Sequence, residues 1–372
     1  MWEQLPPRFE VAYLLTKQNM FDVGDLPFER VEARTLRGFL PPGRVGELAT
    51  GLTGDRYLGI DGELARADIV HAEELSYWYA ADPARRKPRH RYKLVLTVWE
   101  TLPLLDAFRN KYAKTYRQQT VPAADLFLAV TERARAALLL EGVAEERIEV
   151  WNPGIDLERF ERGARPDPAP AEHVLISPGR LVWEKGHQDV MRALSALRRG
   201  LVPAPADARP RLLVVGDGPE RRRLEEYARE LDIADATEFR SVPYGEMPQL
   251  YARASCMVLA SLSSAGCARY FGDLPRCFWE EQFGMVLAEA MAAGLPIVAS
   301  ASGAIPEVVG DGAAFFEPGD WLGLARRLAD GPLARPPAER VSHDAERLRR
   351  FSIKAAGERL AAVYDRVLSA SS

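Results

Sequence analysis

Two carboxylates, Glu281 and Glu289, stand with seven residues between them in FWEEQFGMVLAEAMAAGLPIVAS, the stretch from Phe278 to Ser300. Phe283 and Gly284 mark a change from loop to helix, and Met285, Val286, Leu287, Ala290 and Met291 supply an apolar face at helical spacing. Gly294 ends that helix, and Pro296 opens the strand Ile297–Ala299. Glu281 is therefore expected at the helix entrance and Glu289 about two turns inside. A surface carboxylate favoured by the helix dipole accounts for Glu281 taken alone. Glu289 is different, because it is the one charge in the run from Met285 to Ile305. Burying it without a partner is costly, and a polar ligand with hydroxyls to donate would satisfy it.

A second constellation is basic. Arg180 and Lys185 follow a strand in ISPGRLVWEKG, residues 176–186, at the carboxyl end where α/β sheets bind ligands. Two cations there suit a diphosphate, the arginine as a bidentate fork and the lysine as a point charge. Two solvated surface cations are the plainer reading of such a pair. Gly216-Asp217-Gly218-Pro219 also follows a strand, and its glycines either let backbone approach a ligand or make a tight turn. It is neither a full GxGxxG nor a P-loop. The chain has no DxD sequence, so metal-bound diphosphate chemistry is not indicated.

The elements that must position these groups form two α/β series. Strands at Phe9–Thr16, Val31–Arg34, Ala67–His71, Lys93–Trp99, Leu126–Thr131 and Ile148–Trp151 alternate with helical segments, and glycine and proline between Phe21 and Gly54 mark loops. The prolines of Arg165–Ala171 read as a linker. A second series follows, with strands at Val174–Ser177, Leu212–Val215, Thr237–Phe239 and Cys256–Ala260 and helices at His187–Arg199, Glu220–Glu230 and Met247–Ala254. Residues 263–278 read as an inserted loop whose cysteines, Cys267 and Cys277, are bystander thiols rather than metal ligands or a redox pair. A last amphipathic helix, Ile353–Val367, is placed to cross back to the first series. The expected fold class is α/β, two doubly wound Rossmann-like lobes facing a cleft: residues 1–155, with 353–372 crossing back, and residues 172–350.

The composition narrows the partners. The 372 residues carry a net charge of −4, which gives no general argument for nucleic acid. Three cysteines without a CxxC pair, and an N-terminus without a basic-then-apolar leader, fit a reducing cytoplasm. Segments 85–93 and 109–117 are basic, the latter interleaved with Tyr112 and Tyr116. A solvated face explains them, and peripheral contact with anionic lipid or a phosphate-bearing acceptor is the functional alternative.

Taken together, GRLVWEKG, the GDGP turn, EQFGMVLAEAMAAGLPIVAS and SGAIPEVVGDG at Ser302–Gly312 resemble, in order and spacing, the retaining glycosyltransferases of family four. These are relatives of glycogen synthase and of bacterial mannosyl- and glucosyltransferases with the GT-B fold. The resemblance is strong over Asn152–Asp320 and weaker before it. It implies that Arg180 and Lys185 neutralise the diphosphate of a nucleotide-sugar donor, that Glu289 binds ribose hydroxyls, and that Glu281 holds the donor sugar. Amides around Phe283, Gly284 and Met285 would bind phosphate or sugar oxygens, with Gly216 and Gly218 lining the donor site and backbone near Val242 meeting the base. It further implies no cofactor beyond the co-substrate, and a glycan, lipid-linked or small-molecule acceptor.

The first lobe departs from the family pattern. It lacks the usual opening strand and glycine-rich loop, and Trp99 stands where many members have a histidine, with Glu100 beside it. Glu100 and His71 are candidate contacts to sugar or acceptor, against a structural tryptophan, an exposed glutamate and a satisfied core histidine. The alternative function is a catalytically weak sugar-nucleotide-binding accessory subunit. A phosphorylase is disfavoured, since no lysine sits in a setting suited to pyridoxal phosphate.

Overall fold

The computed structural model describes residues 2–16, 27–41, 43–105, 111–163, 171–205, 208–263 and 279–369. The expected linker at 165–170 and the loop at 264–278, with Cys267 and Cys277, lie outside the described residues. The chain divides into two compact units, Met1–Pro153 with Lys354–Ser372, and Gly154–Ile353.

In the first unit, β1 (Ala12–Thr16) pairs in parallel with β2 (Glu29–Thr35). After α1 (Leu36–Phe39) and α2 (Arg44–Thr53), β3 (Tyr57–Leu58) returns antiparallel to β2. The two helices replace the loops expected before Gly54. Thr35 caps α1 through a bond from the Gly38 amide at 3.1 Å, and the β2–β3 pairing closes the segment on itself, so tertiary context overrides the glycine and proline content.

The rest of the unit runs α3 (Asp61–Arg66), β4 (Ile69–Glu73), α4 (Trp78–Arg86), β5 (Lys93–Val98), α5 (Lys111–Ala123), β6 (Leu126–Ala129), α6 (Glu132–Leu140) and β7 (Ile148–Val150). Strands β4-β5-β6-β7 form one parallel sheet in sequence order. The run Leu94–Val98 is buried along its length, as expected of a strand covered on both faces.

The second unit contains α7 (Leu157–Gly163), β8 (Val174–Pro178), α8 (His187–Arg198), β9 (Arg211–Val215), α9 (Arg221–Glu230), β10 (Thr237–Arg240), α10 (Met247–Arg253) and β11 (Cys256–Leu259). It continues with α11 (Met285–Ala292), β12 (Ile297–Ser300), α12 (Ile305–Val309), β13 (Ala313–Phe316), α13 (Trp321–Asp330) and α14 (Ala345–Arg350). Its six strands are parallel in the order β10-β9-β8-β11-β12-β13. The chain winds outward from β8 to β10, then restarts at β11 beside β8. That neighbouring pair is the topological switch point, where loops leave in opposite directions and open a crevice. The core beneath it joins Leu175, Val190, Leu194, Val214, Val258 and Leu324.

Helix α15 (Ile353–Ser369) returns the chain to the first unit. Ala356, Leu360, Val363 and Tyr364 pack against Val95, Leu128 and Trp151, and the Trp151 indole donates to the Ala356 carbonyl at 3.1 Å. Among the described residues no helix is long and apolar enough to cross a membrane.

Candidate functional site

The loops leaving β8, β11 and β12 converge in the second unit. A helical turn at Trp183–Lys185 after β8 brings the Lys185 ammonium to both oxygens of Glu281, at 2.9 and 2.7 Å. Ser261, just after β11, donates to Glu281 Oε2 at 2.6 Å, and Lys185 Nζ lies 4.8 Å from the centre of the Trp279 ring. Glu281 is 5 % exposed. The surface carboxylate expected at the helix entrance is thus a buried, paired one, and its partner is one of the two cations expected on phosphate.

The backbone of Glu281 is held as firmly as its side chain. Its amide donates to Ser302 Oγ at 3.2 Å, its carbonyl accepts from the Ala304 amide at 2.8 Å, and Ser302 donates to the Leu262 carbonyl at 2.5 Å. Gly303 makes this clasp possible. It has φ of 54°, and a Cβ there would lie 2.2 Å from the Glu281 carbonyl oxygen. The residues Ser302-Gly303-Ala304 therefore grip the loop that carries Glu281.

Arg180, on the same side of the sheet, is exposed and has no carboxylate partner among the described residues. Its carbonyl is fixed from below by His187, whose Nε2 lies 3.2 Å away while Nδ1 meets Ser177 Oγ at 2.9 Å. A carbonyl only accepts, so Nε2 carries the proton and Nδ1 accepts from the serine. Burial pushes the His187 pKa down to about 4, with the Lys185 charge acting in the same direction. The imidazole is a neutral strut under the Arg180 turn.

Glu289 faces a different environment. It is 4 % exposed, and Tyr251 donates to its Oε2 at 2.9 Å. Burial raises its pKa, while the Tyr251 and Tyr244 hydroxyls oppose that shift. Burial first, and the Glu289 charge second, raise the pKa of the Tyr251 hydroxyl. Phe160 of α7 packs edge-on to both tyrosines, with ring centres 5.7 and 5.9 Å away. The hydroxyl partner that the sequence assigned to a ligand is supplied here by the protein. A carboxylate has further lone pairs, so this bond leaves Glu289 capacity to accept from another group.

Of the remaining expected residues, Phe283 is buried edge-on against Phe351, and Gly284 directly precedes α11, whose first residue is Met285. Gly216 and Gly218 follow β9, but what approaches them is protein: a Cβ would lie 1.9 Å from the Gly179 carbonyl oxygen and 2.5 Å from that of Leu181. These glycines let the GDGP turn press on the backbone carrying Arg180. Val242 is half-buried beyond the end of β10.

The two candidates in the first unit have local duties. His71 lies within β4, with Nδ1 2.6 Å from the Tyr364 hydroxyl and Nε2 2.7 Å from Thr97 Oγ1. Both ring nitrogens are engaged, and burial lowers its pKa to about 4. It is a satisfied core histidine, not one presented at a strand end. Glu100 Oε1 accepts from the amides of Thr101 and Leu102, both at 3.1 Å, and so shapes its own turn. The basic segment 85–93 is largely neutralised in place: Arg85 and Arg86 pair with Asp82, Arg86 also with Asp61, and Lys87 and Lys93 with Asp125. In the other segment, positions 109 and 110 lie outside the described residues and Arg117 faces Glu141 at 3.7 Å.

Sequence reasoning missed Ser261, Ser302, Gly303, His187, Tyr251 and Trp279. Serines two residues beyond strands β11 and β12 are a visible signal, whereas Tyr251 meets Glu289 only through the packing of α10 and α11. Among the described residues no cluster of three metal-ligating side chains occurs. A cavity of about 150 Å³ lies between α8 and α9, walled by Val182, Trp183, Leu224 and Tyr227, and none of the expected site residues lines it.

Comparison with known proteins shows the family and the fold class of the chain. Residues 161–346 match the family described as glycosyl transferases group 1, and residues 21–159 match glycosyltransferase family 4. D-inositol 3-phosphate glycosyltransferase 2 of Catenulispora acidiphila is 32 % identical over 270 residues, covering 67 % of this chain and 57 % of that protein. D-inositol 3-phosphate glycosyltransferase 1 of the same organism is 31 % identical over 329 residues, covering 80 % and 72 %. The putative colanic acid biosynthesis glycosyltransferase WcaL of Escherichia coli is 30 % identical, covering 63 % and 56 %. The chain therefore spans a little over half the length of several curated relatives. Among solved structures, the sucrose-phosphate synthase of Thermosynechococcus elongatus superposes with a TM-score of 0.71 at 18 % identity, covering 97 % of this chain and 90 % of that one. Anabaena HepE in complex with UDP gives 0.64 at 19 %, covering 91 % and 86 %. These likenesses show the GT-B fold class, and with the family matches they establish that the chain belongs to the family-four glycosyltransferases of group 1.

Proposed function

We propose that this chain transfers a sugar, with retention of configuration, from a nucleoside diphosphate sugar to an acceptor hydroxyl, and that it does so without a divalent cation. The observation that carries the reading is the meeting of Lys185 and Glu281 at the β8–β11 switch point, beside the N-terminus of α11. A cation and a helix N-terminus match the diphosphate of a donor, and a hydroxyl-accepting carboxylate at the same crevice matches its sugar.

In this reading the ion pair is a resting state. The donor diphosphate takes Lys185, joined by exposed Arg180, and the released Glu281 accepts hydroxyls of the sugar. Glu289, with one oxygen held by Tyr251, accepts from the ribose on the other. The C1–O bond then breaks with its electron pair passing to the diphosphate. The acceptor oxygen attacks the same face of the oxocarbenium-like sugar, and its proton goes to the departing phosphate oxygen. Two cations and the helix terminus stabilise the developing charge, as a metal would elsewhere.

The test is a panel of UDP-, GDP- and ADP-linked glucose, mannose and N-acetylglucosamine incubated with the purified chain and EDTA, scored for nucleotide release and for the anomeric configuration of product. Release from one donor with retained configuration is expected. Loss of all release on EDTA addition would overturn the metal-free step. Nucleotide binding without release from any donor, with or without magnesium, would indicate an accessory sugar-nucleotide-binding subunit instead.

A further inference from the structure

The cavity between α8 and α9 takes no part in the donor reading, yet one of its walls belongs to the segment that does. Its volume is about 150 Å³, and Val182, Trp183, Leu224 and Tyr227 make its sides apolar and aromatic. On α9, Leu224 and Tyr227 follow Glu220 at helical spacing, and Leu224 is 6 % exposed. On α8, Gln188 and Arg192 line it one turn apart. Trp183 keeps 38 % of its surface open.

The charged groups around this apolar space are largely matched. Arg192 donates from Nε to the Tyr227 hydroxyl at 2.7 Å and from Nη1 to Asp189 at 2.5 Å, and its guanidinium lies 5.4 Å from the centre of the Tyr227 ring. Arg223 pairs with Glu220 and Arg222 with Glu226, both at 3.0 Å. Glu230 stands exposed at the end of α9. An ion entering the cavity gives up its hydration, whereas an uncharged ring gains contact with two aromatic walls. Size sets a second limit. An apolar cavity of roughly 150 Å³ holds one benzene ring, and pockets for drug-sized molecules begin at roughly 300 Å³.

The wall matters because of what the same turn carries on its other side. The Val182 amide donates to the Arg180 carbonyl at 2.9 Å, and the Lys185 amide donates to the Val182 carbonyl at 3.2 Å. The Trp183 carbonyl accepts from the Gly186 amide at 3.2 Å and from Gln188 Nε2 at 3.1 Å. The Glu220 amide at the start of α9 donates to the Leu181 carbonyl at 3.0 Å. Val182 and Trp183 thus line the cavity from the turn that brings Lys185 to Glu281. A guest packed against Trp183 and Gln188 restrains that turn where it stands, with Lys185 on Glu281.

We propose that the α8–α9 cavity is an effector site for one uncharged aromatic ring, and that a bound ring holds the Trp183–Lys185 turn in its resting position and so opposes binding of the donor diphosphate. The second half rests on the donor reading given above, and the first half is independent of it.

The test uses the full chain. Phenol and benzyl alcohol would be titrated by saturation-transfer NMR beside benzoate, and UDP, GDP and ADP by calorimetry with and without saturating ring. At least one neutral ring is expected to bind, with benzoate about tenfold weaker or more. Leu224→Phe, which fills the cavity, and Trp183→Ala, which removes a wall, should each weaken the ring about tenfold. Thermal midpoints verify that each variant is folded. The ring should weaken the nucleoside diphosphate that binds by about fivefold, and that nucleotide should weaken the ring by the same factor. No binding of either neutral ring, equal or tighter binding of benzoate, ring binding unchanged in either folded variant, or a nucleotide affinity unmoved by the ring would each overturn the proposal. If no nucleoside diphosphate binds although the ring does, the donor reading falls and the ring site stands.

Discussion

Lys185 Nζ spans both carboxylate oxygens of Glu281, a residue 96 positions later in the chain, at 2.9 and 2.7 Å. With side chains 15 % and 6 % exposed, neither ion is well served by water, so each depends on the other until a ligand intervenes. Removing one partner strands a charge. Glu281→Ala should therefore abolish transfer and also lower unfolding free energy by about 3 kcal/mol, measured by urea denaturation. The double variant Lys185→Met/Glu281→Gln should recover part of that stability and none of the activity. Additive losses in the cycle would show that the pair is not coupled.

Arg180 offers the opposite signature. Its guanidinium is exposed, so Arg180→Ala should change stability by no more than about 0.5 kcal/mol while reducing kcat/KM on the order of a hundredfold. A variant with full kcat/KM would remove Arg180 from the diphosphate.

Gly303→Ala tests the clasp on Glu281. The added Cβ would meet the Glu281 carbonyl oxygen at 2.2 Å in a left-handed conformation. A loss on the order of 2–4 kcal/mol is expected, with weaker donor binding at temperatures where the variant stays folded. Wild-type stability and donor affinity in this variant would mean that the Ser302–Ala304 loop does not set Glu281.

The two ionisable groups beneath the site predict opposite pH trends. Burial depresses the folded pKa of His187 from 6.5 to about 4, so between those values the unfolded chain binds more protons and stability falls as pH drops. The contribution approaches about 3 kcal/mol at pH 4. His187→Gln should flatten the dependence of the urea midpoint between pH 7 and 4.5, and an unchanged slope would contradict the assignment.

Glu289 acts in reverse, because its folded pKa is raised. The unfolded chain then releases its proton first, and stability is lost as pH rises from the ordinary value of 4.5 through the folded one. Glu289→Gln should raise the thermal midpoint near pH 7.5, converge with wild type below pH 4.5, and weaken nucleoside diphosphate binding. A variant less stable than wild type at pH 7.5 would show that the carboxylate gains more from Tyr251 than it loses by burial.

Much of the second unit is legible in the sequence because its strands are short apolar runs ended by glycine or serine. Val174–Ser177, Leu212–Val215 and Ile297–Ala299 lie where those runs place them. Glu281 and Glu289 stand out by chemistry, yet their partners do not, since Lys185 and Tyr251 reach them only through strand order and helix packing. His71 leaves two readings open in the sequence for the same reason: its two hydroxyl partners lie 26 and 293 positions away. In the first unit α1 and α2 are hidden by glycines and prolines that ordinarily break structure, and in the second unit α7, at seven residues, is too short to show a period.

The return of α15 to the first unit has a consequence for the order of synthesis. Val95, Leu128 and Trp151 emerge early from a translating ribosome, but the surface that covers them, Ala356 to Tyr364, follows some 200 residues later, as the 205-residue separation of Trp151 from its bonded carbonyl shows. The second unit lies wholly between the two and can close first. The first half of the chain is thus made before the second and finished after it, and until then a tryptophan-centred apolar face stands open to chaperones.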